Sequence, residues 1–263
     1  MEAGRHTLRD GSTVADPRLD RLPDFDERSR GYAAASLAPP GATLRGKTWA
    51  LGWLLDQGEE GACTCFALAH NLLGSPRPKT LGADVAAVTR LARHFYGRAK
   101  QLDPWPGESY EGTSLLAALK AWREAQQLKS YGWAFGIDEL LLVLGHVGPV
   151  VLATDWRERM SRPPLSGLLD ISGRTVGGHA YDATGVVLYP ERSTVWRSTG
   201  VKGEPIVVGP NSWGPAKSPR EPARPGKAWG RLGYWAMRAS DVETLLRARG
   251  EAAVPLDRTL APA

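Results

Sequence analysis

Residues 55–73 read LDQGEEGACTCFALAHNLL and hold both cysteines of the chain, Cys63 and Cys65. A glycine-rich loop gives way here to an apolar run, so a helix is expected over 61–73. Cys63 stands at its start. A thiol there meets backbone N–H groups without helical partners and the positive end of the helix dipole, and both favour thiolate. Cys65 lies one step further in, ahead of Phe66, Ala67 and Leu68, and reads as a small buried hydrophobe. Two positions apart on one helix, the side chains point in different directions, so a bond between them is geometrically unfavourable. The residues alone leave two readings: a structural pair, or one reactive thiol and a bystander.

The 263-residue chain can bury a sizeable core, and 42% hydrophobic residues with 10 tryptophans read as globular. It needs no disulfide to fold, which points to a reducing compartment. The polar N-terminus, MEAGRHTLRDGSTVADPRLDRLPDFDERSRG, has no apolar core of a signal peptide, so a cytoplasmic location is expected. No apolar run is long enough to suggest a membrane span. The net charge of +5 comes from scattered arginines without a basic stripe, so no nucleic-acid partner is expected. Five histidines (6, 70, 94, 146, 179) and two cysteines show no ligand spacing, so neither a metal nor another cofactor is expected.

Periodicity changes along the chain. Helices are expected at 61–73, 81–100, 113–128 (capped by Thr113 or Ser114) and 138–148. Strands are expected at 149–156, 178–189, 193–200, 204–213 and 231–240. A helical turn or two follows at 241–250. The fold class is therefore α+β, with a helical lobe over about 55–148 and an antiparallel β lobe over about 149–240. These form one domain over 46–250, with an irregular segment at 1–45 packed on it and a C-terminal tail at 251–263. Residues 214–230, GPAKSPREPARPGKAWG, read as a proline-rich surface loop.

A nucleophilic thiol needs a base. His179, in TVGGHAYDATGVV, follows two glycines and opens an apolar strand, whereas the other histidines sit in helices, at a helix end or in the irregular N-terminus. An imidazole needs an orienter. Asn211, in VVGPNSWGP, can accept from the ring N–H while Trp213 shields that bond from water. An acyl-transfer site also needs donors for an oxyanion, and Gln57 lies six residues before Cys63 across a loop.

Three blocks, DQGEEGACTCFALA, GGHAYDATGV and PNSWGPA…WGRLGYWAM, resemble the signature blocks of papain-like cysteine peptidases. LPDFDERS (22–29) resembles the start of mature members, and EGTSLLAALKAW the glycine-rich block before a helix. The resemblance covers about residues 20–247, and the gaps from Cys63 to His179 (116) and to Asn211 (148) suit the family. It implies a two-lobed fold, with a β-barrel-like right lobe and the active site in the cleft between lobes. It implies Cys63 as nucleophile, Cys65 as bystander, His179 as base and acid, Asn211 as orienter under Trp213, and Gln57 as oxyanion donor. Gly112 is placed where substrate backbone pairs, and Gly178 beside the subsite that sets specificity. The small Gly178 leaves room there, so a bulky apolar side chain is the expected preference.

The sequence departs from the family at several positions. Glu60 replaces a disulfide cysteine, and Thr64 the tryptophan after the nucleophile. Glu59 and Glu60 are expected to place negative charge near the thiol. The loop at 215–228 is longer than usual, and no long helical pro-domain is visible. In these respects the chain resembles short, disulfide-free members from bacteria and their phages, for which virion association is a further possibility. The implied activity is hydrolysis of a protein or peptide substrate by a monomer. A catalytically weak peptide-binding module and an acyl transferase are the alternatives.

Overall fold

The computed structural model describes residues 5–51, 53–74, 76, 84–105, 110–214 and 233–256. In chain order the elements begin with short strands β1 (His6–Thr7), β2 (Thr13–Val14), β3 (Arg21–Leu22) and β4 (Lys47–Thr48). Then come α1 (Cys63–Leu73), α2 (Val85–Leu102), β5 (Thr113–Ser114), α3 (Leu115–Glu124), β6 (Ser130–Trp133) and α4 (Ile137–His146). The strand-rich half holds β7 (Val150–Arg157), β8 (Thr175–Ala183), β9 (Gly185–Val187), β10 (Ile206–Pro210) and β11 (Tyr234–Arg238). It closes with α5 (Ala239–Arg247) and β12 (Glu251–Leu256). The fold is α+β, as expected. No helix among the described residues is long and apolar enough to cross a membrane.

Helix α1 is buried along its whole length. Its sequence is apolar on every side, which suits a central helix rather than a surface one. Helix α2 shows the opposite pattern: Val88, Ala92, Phe95, Tyr96 and Ala99 recur at three- and four-residue spacing and alone are buried. Asp84 caps it by accepting from the Ala87 N–H at 2.6 Å. Ser114 caps α3 by accepting from the Ala117 N–H at 3.0 Å. One core forms where α2 and α3 pack on α1, with Phe95 and Trp122 ring centroids 4.5 Å apart. A second core gathers Trp156, Tyr181, Trp213 and Trp235 between the sheets, α4 and α5.

The strands form two open four-stranded sheets, ordered β6-β12-β7-β8 and β11-β10-β9-β4. Among the described residues they form no closed barrel. Between β8 and β9 the Thr184 N–H donates to Val208 O of β10 at 2.8 Å, which links the two sheets.

Two further expectations are corrected. Residues 251–256, read as part of a tail, are β12, a fully buried strand between β6 and β7. Pro255 and the small residues around it weaken the strand signal, and the pairing that creates the strand is entirely non-local. Residues 193–200, read as a strand, form a turn followed by a 3₁₀ turn at Arg197–Thr199. The Ser193 hydroxyl oxygen accepts from the N–H groups of Val195 and Trp196 at 3.2 and 3.1 Å, and this local bonding displaces a ladder. The proline-rich loop, beyond Gly214, lies outside the described residues.

Candidate active site

Cys63 opens α1 at the boundary between the two cores. Ala62, its N-cap, offers no side-chain oxygen, so no capping group competes for the first-turn N–H groups. The far end of α1 is clipped to β8 through Asn71 Nδ2, which donates to Asp182 Oδ1 at 2.9 Å. At the near end the Ala180 N–H, on the same strand, donates to Cys63 Sγ at 3.3 Å. The thiol therefore sits one residue along β8 from His179. His70, also on α1, accepts the Leu55 N–H at 2.8 Å and fixes the loop that carries Gln57. That loop is tied to the Asn211 loop by Gln57 N–H to Ser212 O at 2.8 Å and Gly214 N–H to Leu55 O at 3.2 Å. The Gln57 side chain is buried, and one of its two amide hydrogens goes to Glu60 O at 2.7 Å.

His179 Nε2 lies 2.8 Å from Asn211 Oδ1, which also accepts the Ser212 N–H at 2.8 Å. An oxygen already accepting from an amide leaves Nε2 as the protonated ring nitrogen. The imidazole packs against two adjoining indoles, Trp213 and Trp156, each with its ring centroid 4.8 Å away and 5.4 Å from the other. His179, Asn211 and Trp213 are thus together in one water-excluded cluster, with Cys63 beside them.

The other side of the cluster is covered by the chain's own N-terminal segment, residues 16–22. Asp20 pairs with Gly178, and the Gly178 N–H donates to Leu19 O at 3.2 Å. Strand β3 continues in parallel along β5, beside Gly112. Gly112 and Gly178 make room for this strap. A Cβ on Gly112, whose φ is +101°, would stand 2.8 Å from Asp20 O, and one on Gly178 would overlap the Arg21 carbonyl oxygen. The space expected to receive a bulky apolar side chain is therefore filled by strap backbone. Asp20 Oδ1 lies 3.2 Å from Cys63 Sγ, and Arg18 O lies 3.3 Å from His179 Nδ1. The Arg18 guanidinium stacks 4.6 Å above the Trp213 ring. Cys63 and His179 are both fully buried beneath these residues.

No family model and no curated protein sequence matches the chain, but its structure matches solved structures over most of its length. Xylellain, a cysteine protease from Xylella fastidiosa, superposes with a TM-score of 0.56 at 15% identity, covering 93% of this chain and 97% of that one. Digestive procathepsin L 3 of Tenebrio molitor larval midgut gives 0.52 at 15% identity (92% and 75% covered). Procathepsin B S9 from Trypanosoma congolense gives 0.51 at 14% (92% and 84%). The fold is that of the papain-like cysteine proteases.

Within this papain-like cleft the charges differ from expectation. Glu60 is half exposed and paired with Arg93 at 2.7 Å, away from the thiol. The carboxyl that faces Cys63 is Asp20. Burial, then Asp20, pushes the Cys63 thiol well above its ordinary range. Burial also pushes Asp20 up to about 7, against the hydrogen bonds from Cys63 and Tyr96. The Tyr96 hydroxyl lies 2.9 Å from Asp20 Oδ2 and 2.7 Å from Glu111 Oε2, and it accepts the Gly112 N–H at 2.8 Å. A hydroxyl has one proton to give, so one of the two carboxyls must bring its own. Glu111 faces Lys100 at 3.6 Å and half-exposed solvent, so the proton belongs to Asp20. Burial holds His179 down at about 4, outweighing its bonds to Asn211 and to Arg18 O, which favour the charged ring. Cys65 is buried and pushed up to about 12, which makes it an unreactive thiol.

Sequence reasoning passed over Trp156, Tyr96 and the strap residues. Trp156 carries no local mark that separates it from the other tryptophans. The strap, DPRLDRL, has neither period, and the contacts that seat it on the site are with residues far along the chain.

Proposed function

We propose that the chain is a cysteine peptidase whose cleft is closed by its own residues 16–22. The observation that supports this most is the juxtaposition of Cys63, at the uncapped start of α1, with His179 on the facing strand β8 and with Asn211, which follows β10. Two of the similar structures are, by name, pro-forms of cathepsins. In this reading the strap leaves first. His179 Nδ1, now free of Arg18 O, takes the Cys63 proton, and the thiolate attacks an amide carbonyl. The second Gln57 amide hydrogen and backbone N–H groups at the start of α1 stabilise the oxyanion. The imidazolium passes its proton to the leaving amine. His179 then deprotonates the water that hydrolyses the acyl-enzyme. The substrate is a protein or peptide, the enzyme works as a monomer, and this chemistry calls for no cofactor.

The strap itself is not positioned for cleavage: what faces Sγ is the side-chain carboxyl of Asp20, a poor electrophile, rather than a peptide carbonyl. The same contact favours a second reading, a module that holds an extended peptide without cutting it. Incubation of the Asp20→Ala chain with a mixed peptide library, followed by mass spectrometry, separates them. New termini that vanish in the Cys63→Ser variant support the peptidase, and retention of intact peptides supports the binding module.

A further inference from the structure

The strap lies between β8 and a second wall. Asp20 pairs with Gly178 on one side, and on the other its carbonyl stands against Gly112. A phenol opens onto that second wall. Tyr96 of α2 is buried, with Lys100 Nζ 4.9 Å from its ring centroid. Its hydroxyl meets the Gly112 N–H at 2.8 Å, Glu111 Oε2 at 2.7 Å and Asp20 Oδ2 at 2.9 Å. One proton and two lone pairs are thus all in use while the strap is docked.

Two observations give this hydroxyl a use once the strap is away. The first is that Gly112 has no N–H left to offer a peptide in the cleft. Its N–H is spent on Tyr96, and the Glu111 carbonyl before it accepts the Arg9 N–H at 3.0 Å. What stands at this point of the wall in place of a backbone donor is the phenol. The second is its position. A single carboxyl, that of Asp20, reaches from Cys63 Sγ at 3.2 Å to the phenol. Withdrawal of the strap therefore leaves the hydroxyl with one empty position, facing the cleft beside the thiol, and a buried polar group left unpaired is costly. Burial, then the carboxyls of Asp20 and Glu111, pushes the phenol well above its ordinary range, so it keeps its proton.

We propose that Tyr96 is a substrate-binding residue: in the open chain its hydroxyl accepts from Gly112 and donates to a backbone carbonyl of the bound peptide, at the position that Asp20 Oδ2 now holds. The proton is free to turn there. Glu111 is half exposed and has Lys100 at 3.6 Å and water as other partners, whereas a peptide carbonyl inside the cleft has neither. A hydroxyl that accepts from an amide is also the stronger donor. The inference rests on the cleft being a peptide site, as in the peptidase reading, and not on the peptide being cut.

The test is thioamide scanning on the full chain carrying Asp20→Ala, which removes the strap carboxyl, and Cys63→Ser, which prevents cleavage. A thioamide replaces one C=O by C=S, a poorer acceptor, and makes its own N–H a better donor. The probe is the tightest binder that a mixed peptide library yields, labelled with fluorescein and titrated by anisotropy with one thioamide at each position in turn. Its hydrolysis by Asp20→Ala with Cys63 intact is followed in parallel. At one position the thioamide is expected to weaken binding about threefold or more, and the loss to shrink to under about 1.5-fold when Tyr96→Phe is added. Phenylalanine keeps the ring in place, and any change in strap docking moves the parent peptide and its thioamide alike, so their ratio reports the contact itself. Losses unchanged by Tyr96→Phe, tighter binding of the thioamide at the Tyr96-dependent position, or no binder in the library overturns the proposal. A Tyr96-dependent loss without hydrolysis supports the contact and overturns the peptidase reading.

Discussion

Asp20 Oδ1 lies 3.2 Å from Cys63 Sγ, so the group on the candidate nucleophile is an acid supplied by the same chain. The acid opposes thiolate by its charge once it has lost its proton, and its bulk keeps a substrate carbonyl off Sγ. One short segment thereby contacts the thiol, the imidazole and the buried Glu251 at once, through Asp20, Arg18 and Arg21.

The pH dependence of strap docking follows from two opposed groups. Burial raises Asp20 from 3.8 to about 7, so docking takes up a proton between those values, and this contribution weakens docking about tenfold per unit as pH rises. Burial lowers His179 from 6.5 to about 4, so docking releases a proton there and tightens as pH rises to about 6.5. The two nearly cancel in the native chain. Asp20→Asn removes the first alone, leaving docking that tightens with pH. Hydrogen exchange of residues 16–22 between pH 4 and 7 reads this directly, and parallel profiles for the two proteins would contradict it.

Asn211→Ala removes the acceptor that orients His179. On the Asp20→Ala background the expected result is a fall in kcat of about 10- to 100-fold with the chain still folded. An unchanged kcat would remove Asn211 from the mechanism.

How far the sequence led differs by element. The helices were legible because each signals locally, through the apolar periods of α2 and α3 and the capping Ser114, whereas the cap at Asp84, inside the helix expected from 81, was not read. The cluster of Gln57, Cys63, His179 and Asn211 was legible because each has a distinctive neighbourhood. Strand β12 and the strap were not. Glu251 looks like a charged residue in a frayed end, and only a partner 230 residues away makes it buried. Asp20 looks like a surface acid until Tyr96 and Cys63 enclose it.

Trp156 is buried with its ring edge-to-face against the His179 imidazole, 4.8 Å between centroids. Trp156→Ala should cost about 3–5 kcal/mol of stability, the usual range for emptying such a volume. Urea unfolding monitored by near-ultraviolet circular dichroism measures it, and a loss under about 1 kcal/mol would mean the core closes over the gap.

Cys65→Ala should be nearly silent. Cys65 is buried among α1's neighbours with its thiol pushed up to about 12, and alanine keeps most of the packing. Loss of more than about tenfold in activity, equivalent to 1.4 kcal/mol, without unfolding would give Cys65 a role in the chemistry.

The central claim is that Cys63 is a poised nucleophile shut in by Asp20 and its neighbours. Its most direct test is intact-mass spectrometry with peptide mapping after brief exposure to a peptidyl epoxide at neutral pH, on the native chain and on Asp20→Ala. The account predicts a single adduct, on Cys63, formed at least about tenfold faster in Asp20→Ala and lost when His179→Ala is added. Equal and slow labelling of Cys63 in both chains, or labelling indifferent to His179, would contradict it.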